Sequence, residues 1–148
     1  MNRYVYVGSA YPTGFAMVIQ ILDTEGGLPT APIEGASGVW VDATGNTTVQ
    51  VGWKAFQSWQ PNGTVIFVFV ELTDEDILAF ARARLRKEMD DAVEWLNFHP
   101  LHYKHDLGIA TSEEEAKLLA YKQYFVALGE VNSQPGYPAS INWPVIPF

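Results

Sequence analysis

The pattern of apolar and polar positions changes period once along the chain. From Arg3 to Leu72 it reads as short strands broken by turns. In "TTVQVGW", Thr47, Val49, Val51 and Trp53 fall on one face, and Thr48, Gln50 and Gly52 on the other. That alternation predicts a half-buried strand. "YVYV" (Tyr4 to Val7), "FAMVIQI" (Phe15 to Ile21) and "GVWV" (Gly38 to Val41) are further strand candidates. Between them lie "SAYPTG", "DTEGGLPTAP", "DATGN" and "QPNG", whose Gly, Pro, Asn and Asp predict turns. Asn62-Gly63 predicts a hairpin, because both residues tolerate a positive φ. "VIFVFV" (Val65 to Val70) is apolar on both faces, which predicts a central strand or one covered by a helix. Residues 1–72 therefore predict a small antiparallel β-domain.

At Thr73 the period becomes helical. "TDED" offers Thr73 as N-cap and Asp76 at the third helical position, with negative charge suited to the positive end of a helix. Leu78, Ala81, Leu85, Met89, Ala92 and Leu96 then form one apolar stripe, which predicts a helix ending near Phe98, ahead of Pro100. "TSEEE" opens a second helix at Thr111, with its stripe on Leu118, Tyr121, Phe125 and Leu128 and its end at Gly129 as a C′ residue. The two predict an antiparallel helical hairpin within residues 73–148. The first helix is longer than the second can cover, so its surplus apolar surface needs the β-domain or another chain, a second copy included. The fold class expected is α+β.

The last segment, "SINWPVIPF" (Ser140 to Phe148), has no charge. Pro144 and Pro147 keep it from being a helix or a central strand, so it runs extended. Its Ile141, Trp143, Val145, Ile146 and Phe148 need a surface to cover, on this fold or on another protein.

Composition narrows the function classes. Hydrophobic residues at 48% and aromatic residues at 14% of 148 positions suffice for a core. A net charge of −8 argues against nucleic acid or an anionic bilayer as partner. Without cysteine there is no disulfide framework and no thiolate metal site. The longest apolar run is far too short to span a membrane, the N-terminus lacks a signal-peptide pattern, and the acceptor-like "NTT" and "NGT" read as turns. The expected compartment is the cytosol.

Candidate chemistry is sparse. His99, His102 and His105 could ligate zinc beside Asp106, but Pro100 breaks the helical spacing that would put them on one face, and imidazoles on a connection are usually just solvated. The carboxylates Asp74 to Asp76 and Glu113 to Glu115 are accounted for by the helix dipole. No nucleophile elbow, phosphate loop or dinucleotide fingerprint is present. No enzyme activity, metal or cofactor is expected. The aromatics Trp40, Trp53, Phe56 and Trp59 crowd the β-half and suit either a core or an interface. Alternation assigns Trp53 to the core, whereas Trp59, beside the Asn62-Gly63 turn, is divided evenly between the two.

From Asp106 onward the chain resembles the tail-fibre assembly proteins of tailed phages. The resemblance rests on "DLGIATSEEE", with Asp106, Gly108, Ala110, Thr111, Glu113 and Glu114, on Lys122, Tyr124, Val126 and Leu128 of the helix, and on Ile141, Asn142, Trp143, Pro144 and Pro147 of the tail. Tyr121 stands where the family usually has Trp, Phe125 where it has Arg, and Gly129-Glu130 where Asn-Arg is common. The resemblance implies a non-enzymatic chaperone that binds the distal, receptor-binding tip of the fibre, assists its folding into a trimer, and in some cases stays on the virion. It implies that Thr111, Lys122, Tyr124, Trp143 and Pro144 are structural. On this reading the β-half, through Trp40, Trp53, Phe56 and Trp59, holds the fibre, and the tail folds back on the helices with Trp143 as anchor. The alternatives are that the tail itself is the fibre's ligand, or that the protein is a fibre-tip adhesin for host glycans.

Overall fold

A computed structural model describes residues 1–9 and 15–148; most of the "SAYPTG" turn lies outside the described residues. Among the described residues, β1 (Asn2–Ser9), β2 (Ala16–Thr24), β3 (Gly38–Asp42), β4 (Lys54–Trp59) and β5 (Val65–Val70) form one antiparallel sheet in the order β3-β1-β2-β4-β5. Helices α1 (Asp74–Phe98), α2 (Leu101–Asp106) and α3 (Ser112–Gly129) follow, then a 3₁₀ turn at Val131–Ser133. The fold is α+β. The chain divides into two compact units, Met1–Asp76 and Ile77–Phe148.

In the first unit β1 is buried on both faces. Val5 and Val7 point into a core with Val18, Ala43, Val49 and Ala55, against which Ile21, Val41, Trp53, Phe67 and Phe69 pack. The opposite face carries Tyr4 and Tyr6, covered by the loop between β2 and β3. The Tyr4 hydroxyl donates to the Gly26 carbonyl (3.2 Å), Tyr6 to Ala36 (3.0 Å), and the Trp40 indole N–H to Ala31 (2.9 Å). A loop laid over a sheet brings carbonyls that need donors, and aromatic side chains with a polar tip supply area and donor together.

Two expectations about this unit are corrected, and a third holds with a difference in detail. "TTVQVGW" is not a strand: Gly52 has a φ of +89°, and the segment loops back so that Gly52 N–H reaches Val18 O (2.8 Å) and Val18 N–H reaches Trp53 O (2.9 Å). Val49 is therefore buried while Val51, two residues on, is exposed. The regular strand begins one residue later, at Lys54, where alternation is weaker. Val65 to Val70 is not a central strand: among the described residues β5 is an edge, paired only with β4. The Asn62-Gly63 hairpin does join β4 to β5, but the positive φ (+82°) is used by Gly63 alone. Asn62 instead accepts hydrogen bonds at its side-chain oxygen from the Thr64 N–H (3.0 Å) and hydroxyl (2.6 Å).

The helices start on the caps that the sequence predicts. The Thr73 hydroxyl accepts from Asp76 N–H (3.1 Å), and the Asp76 carboxylate accepts from Thr73 N–H (2.9 Å). Thr111 and Glu114 repeat this reciprocal pair at α3 (3.2 and 2.9 Å). In the second unit, Ala92 of α1 and Tyr121, Tyr124 and Leu128 of α3 form a core flanked by Leu85, Met89, Trp95, Leu96 and Phe125. Glu88 meets Tyr124 (3.0 Å) and Trp95 meets Tyr121 (6.0 Å between rings), so α1 and α3 run antiparallel. Two details differ from expectation. Tyr124 is buried more deeply than Phe125, and Gly129 is the last helical residue rather than a left-handed C′, with Glu130 as C-cap at φ −98°. Glu130 can close the turn in ordinary helical geometry because its N–H reaches Ala127 O (3.2 Å).

Candidate functional site

The C-terminal segment is shaped by its own helices. The Gln134 side chain brackets the Asn142 backbone, donating to its carbonyl (2.9 Å) and accepting from its N–H (2.8 Å). The Arg84 guanidinium lies 4.3 Å from the Trp143 ring centroid. Arg84 Nε also donates to Glu88 (2.8 Å), whose second oxygen accepts from the Tyr124 hydroxyl (3.0 Å). Trp143, Arg84, Glu88 and Tyr124 thus form one chain of contacts from tail to α3. Burial, followed by the Glu88 hydrogen bond, pushes the Tyr124 hydroxyl up to about 12. Farther on, Phe148 stacks on Trp95 (4.3 Å) and meets Tyr124 edge-on (5.8 Å). The tail covers part of the surplus apolar surface of α1, while Val145 and Ile146 stay exposed.

Of the four aromatics proposed for binding, two are absorbed by the first unit. Trp40 packs edge-on against Tyr6 (5.2 Å) and is tied to Ala31, and Trp53 packs against the core. Phe56 and Trp59 remain open, at 49% and 74% exposure. They stand on opposite faces of β4, an odd number of residues apart. Trp59 is paired with Val65 and Phe56 with Val68, and Val65 and Ile66 are themselves exposed. From Ala55 to Val70 the β4–β5 hairpin carries no charged residue, in a chain of net −8. The base of the hairpin is fixed by Lys54, whose ammonium reaches Asp76 (2.9 Å). That contact, with the Thr73 N–H, holds the Asp76 carboxyl down at about 2.

The three histidines do not converge. His99 stacks on Trp95 (4.5 Å) with Nδ1 at the Trp95 carbonyl (2.9 Å), His105 faces Glu115 (2.9 Å), and His102 packs on Tyr103 (3.9 Å). Among the described residues no three metal-ligating side chains come together. The end of α1 and the connection after it hold an exposed set that the sequence pattern did not single out: Phe98, Tyr103, Leu107 and Ile109. The available signal was apolar residues on a Pro- and Gly-bounded connection. Unlike those of the hairpin, they are interleaved with charge, and Lys104 pairs with Glu114.

A family model described as "Caudovirales tail fibre assembly protein, lambda gpK" matches residues 28–148. The chain belongs to this family. Neither curated proteins nor solved structures yielded a match. The family is one of assembly proteins rather than of enzymes, and it gives the chain a role in tail-fibre assembly with a tail-fibre protein as its partner. The match reaches well upstream of Asp106, so most of the β-unit, including the hairpin, belongs to the family as well.

Within this tail fibre assembly protein the motif residues divide by position. Thr111 caps α3, Tyr124 lies in the helix–helix core, Trp143 and Pro144 are half-buried in the tail, and Lys122 is exposed on α3. The two aromatic departures extend one array: Tyr121 stacks with Trp95 (6.0 Å) and with Phe125 (5.9 Å).

Proposed function

We propose that this protein is a folding chaperone for the tail fibre, holding the distal part of the fibre through its β4–β5 hairpin until the trimer is complete. The observation that carries the reading is an uncharged hairpin in an otherwise acidic chain, with Phe56 and Ile66 exposed on one face and Trp59 and Val65 on the other. Large aromatics exposed on a paired hairpin are suited to be binding hot spots. A fibre trimer is assembled from non-local contacts, so it folds slowly and exposes strand edges and apolar patches meanwhile. Covering them needs binding energy only. The protein would act in the host cytoplasm, where the fibre is made, and remain with the virion wherever its contact survives assembly. Co-expression tests this: soluble fibre trimer should rise when the protein is present, and equal yields with and without it would contradict the reading. The exposure of Trp59 also favours a second role, stacking on a host glycan. Glycan binding abolished by Trp59→Ala, with trimer yield intact, would support that role instead.

A further inference from the structure

We infer that β5 receives an extended, uncharged apolar strand of the fibre as an added sixth strand of the sheet. This rests on the chaperone reading and specifies its mode of contact.

The hydrogen-bonding pattern points to this partner. In an antiparallel ladder every second residue of an edge strand turns its N–H and C=O outward. β5 bonds to β4 over its whole length, from Val65 opposite Trp59 to Val70 opposite Lys54. Among the described residues no backbone hydrogen bond joins β5 to any other segment. An open row of this kind is matched by an extended backbone, which a helix or a globular patch cannot supply. Side chains select the character of that backbone. Edge strands that must stay single are normally protected by charge, proline or a bulge. β5 has none of these: it reads Val-Ile-Phe-Val-Phe-Val, and its register with β4 is unbroken. The other edge, β3, is shorter and ends on Asp42. An uncharged edge favours an uncharged apolar strand, while the acidic remainder of the chain works against pairing between two copies by mutual repulsion.

The test is amide exchange of the full chain, free and bound to the distal fragment of its tail fibre. Exchange is quenched and read by NMR after the chain is released. The expected result is slowed exchange at alternate residues between Val65 and Val70 on binding, with the intervening amides already slow in the free chain. Val65→Lys and Ile66→Lys, on opposite faces of β5, should each weaken fibre binding roughly ten-fold or more without lowering the melting temperature much. A complex that forms with β5 exchange unchanged overturns strand addition and leaves the chaperone reading standing. Absence of any complex overturns both. Protection of the outward-facing amides as well in the free chain, together with a dimer mass, would assign the edge to a second copy and overturn the inference.

Discussion

Phe148 stacks on Trp95 with ring centroids 4.3 Å apart and planes 20° apart, so the last residue of the chain closes over the helix that begins the second unit. Phe148 keeps 40% of its surface exposed, and the stack is an offset aromatic pair at ordinary strength. Phe148→Ala should cost about 1–2 kcal/mol. Urea unfolding checks this, and the fluorescence of Trp95 should change with the loss of the stack. The substitution should leave fibre affinity alone, because the tail is engaged on its own helices.

Leu128 and Trp143 should respond very differently to truncation. Leu128 is fully enclosed between α3 and its neighbours, so Leu128→Ala should cost about 2–5 kcal/mol. Trp143 is only half-buried and is held by Arg84, so Trp143→Ala should cost roughly 1–2 kcal/mol, less than a fully buried Trp would. Chemical denaturation of both variants decides the order.

Tyr124 gives the second unit a signature at high pH. Its pKa is raised in the fold, so the contribution is present in full below the ordinary tyrosine value of about 10. It is lost as pH rises through about 12. Burial raises Tyr121 as well, so absorbance titration near 295 nm should show late-ionising tyrosine, and Tyr124→Phe should remove the step near pH 12. Asp76 is the acid counterpart. Its pKa is depressed to about 2, so its contribution is present above pH ~4 and fades as pH falls toward 2.

Thr111→Ala removes the hydroxyl that accepts Glu114 N–H. It should destabilise by about 1 kcal/mol, and Thr111→Ser should recover most of that. Thermal melts of the two variants suffice.

What the sequence makes legible here is chemistry between near neighbours. Thr73 with Asp76, Thr111 with Glu114 and the stop ahead of Pro100 each lie within one helical turn, so residue type and spacing suffice to place both long helices. The Asn62-Gly63 hairpin is local in the same way. Thr47 to Trp53 departs from its alternation for a local reason too: the pattern runs through Gly52, whose positive φ turns the chain out of strand geometry. The remaining differences are long-range. Nothing in "VIFVFV" says that no strand lies beyond it, because an edge is a property of the whole sheet. Nor does the tail reveal that Phe148 finds Trp95, or that Trp40 spends its indole N–H on a loop carbonyl while Trp59 keeps its face free. The candidate surface was therefore legible as a set of four aromatics, and only the fold separates the two left exposed from the two that pack.

The central claim is that the uncharged hairpin holds the fibre, and calorimetric titration of the distal fibre fragment with the Trp59→Ala variant tests it most directly. With 74% of Trp59 exposed, the melting temperature should stay within about a degree of the parent while affinity falls roughly thirty-fold, the loss of about 2 kcal/mol typical of a hot spot. Unchanged affinity in Trp59→Ala and in the Phe56→Ser/Trp59→Ala double variant, both correctly folded, would contradict the account.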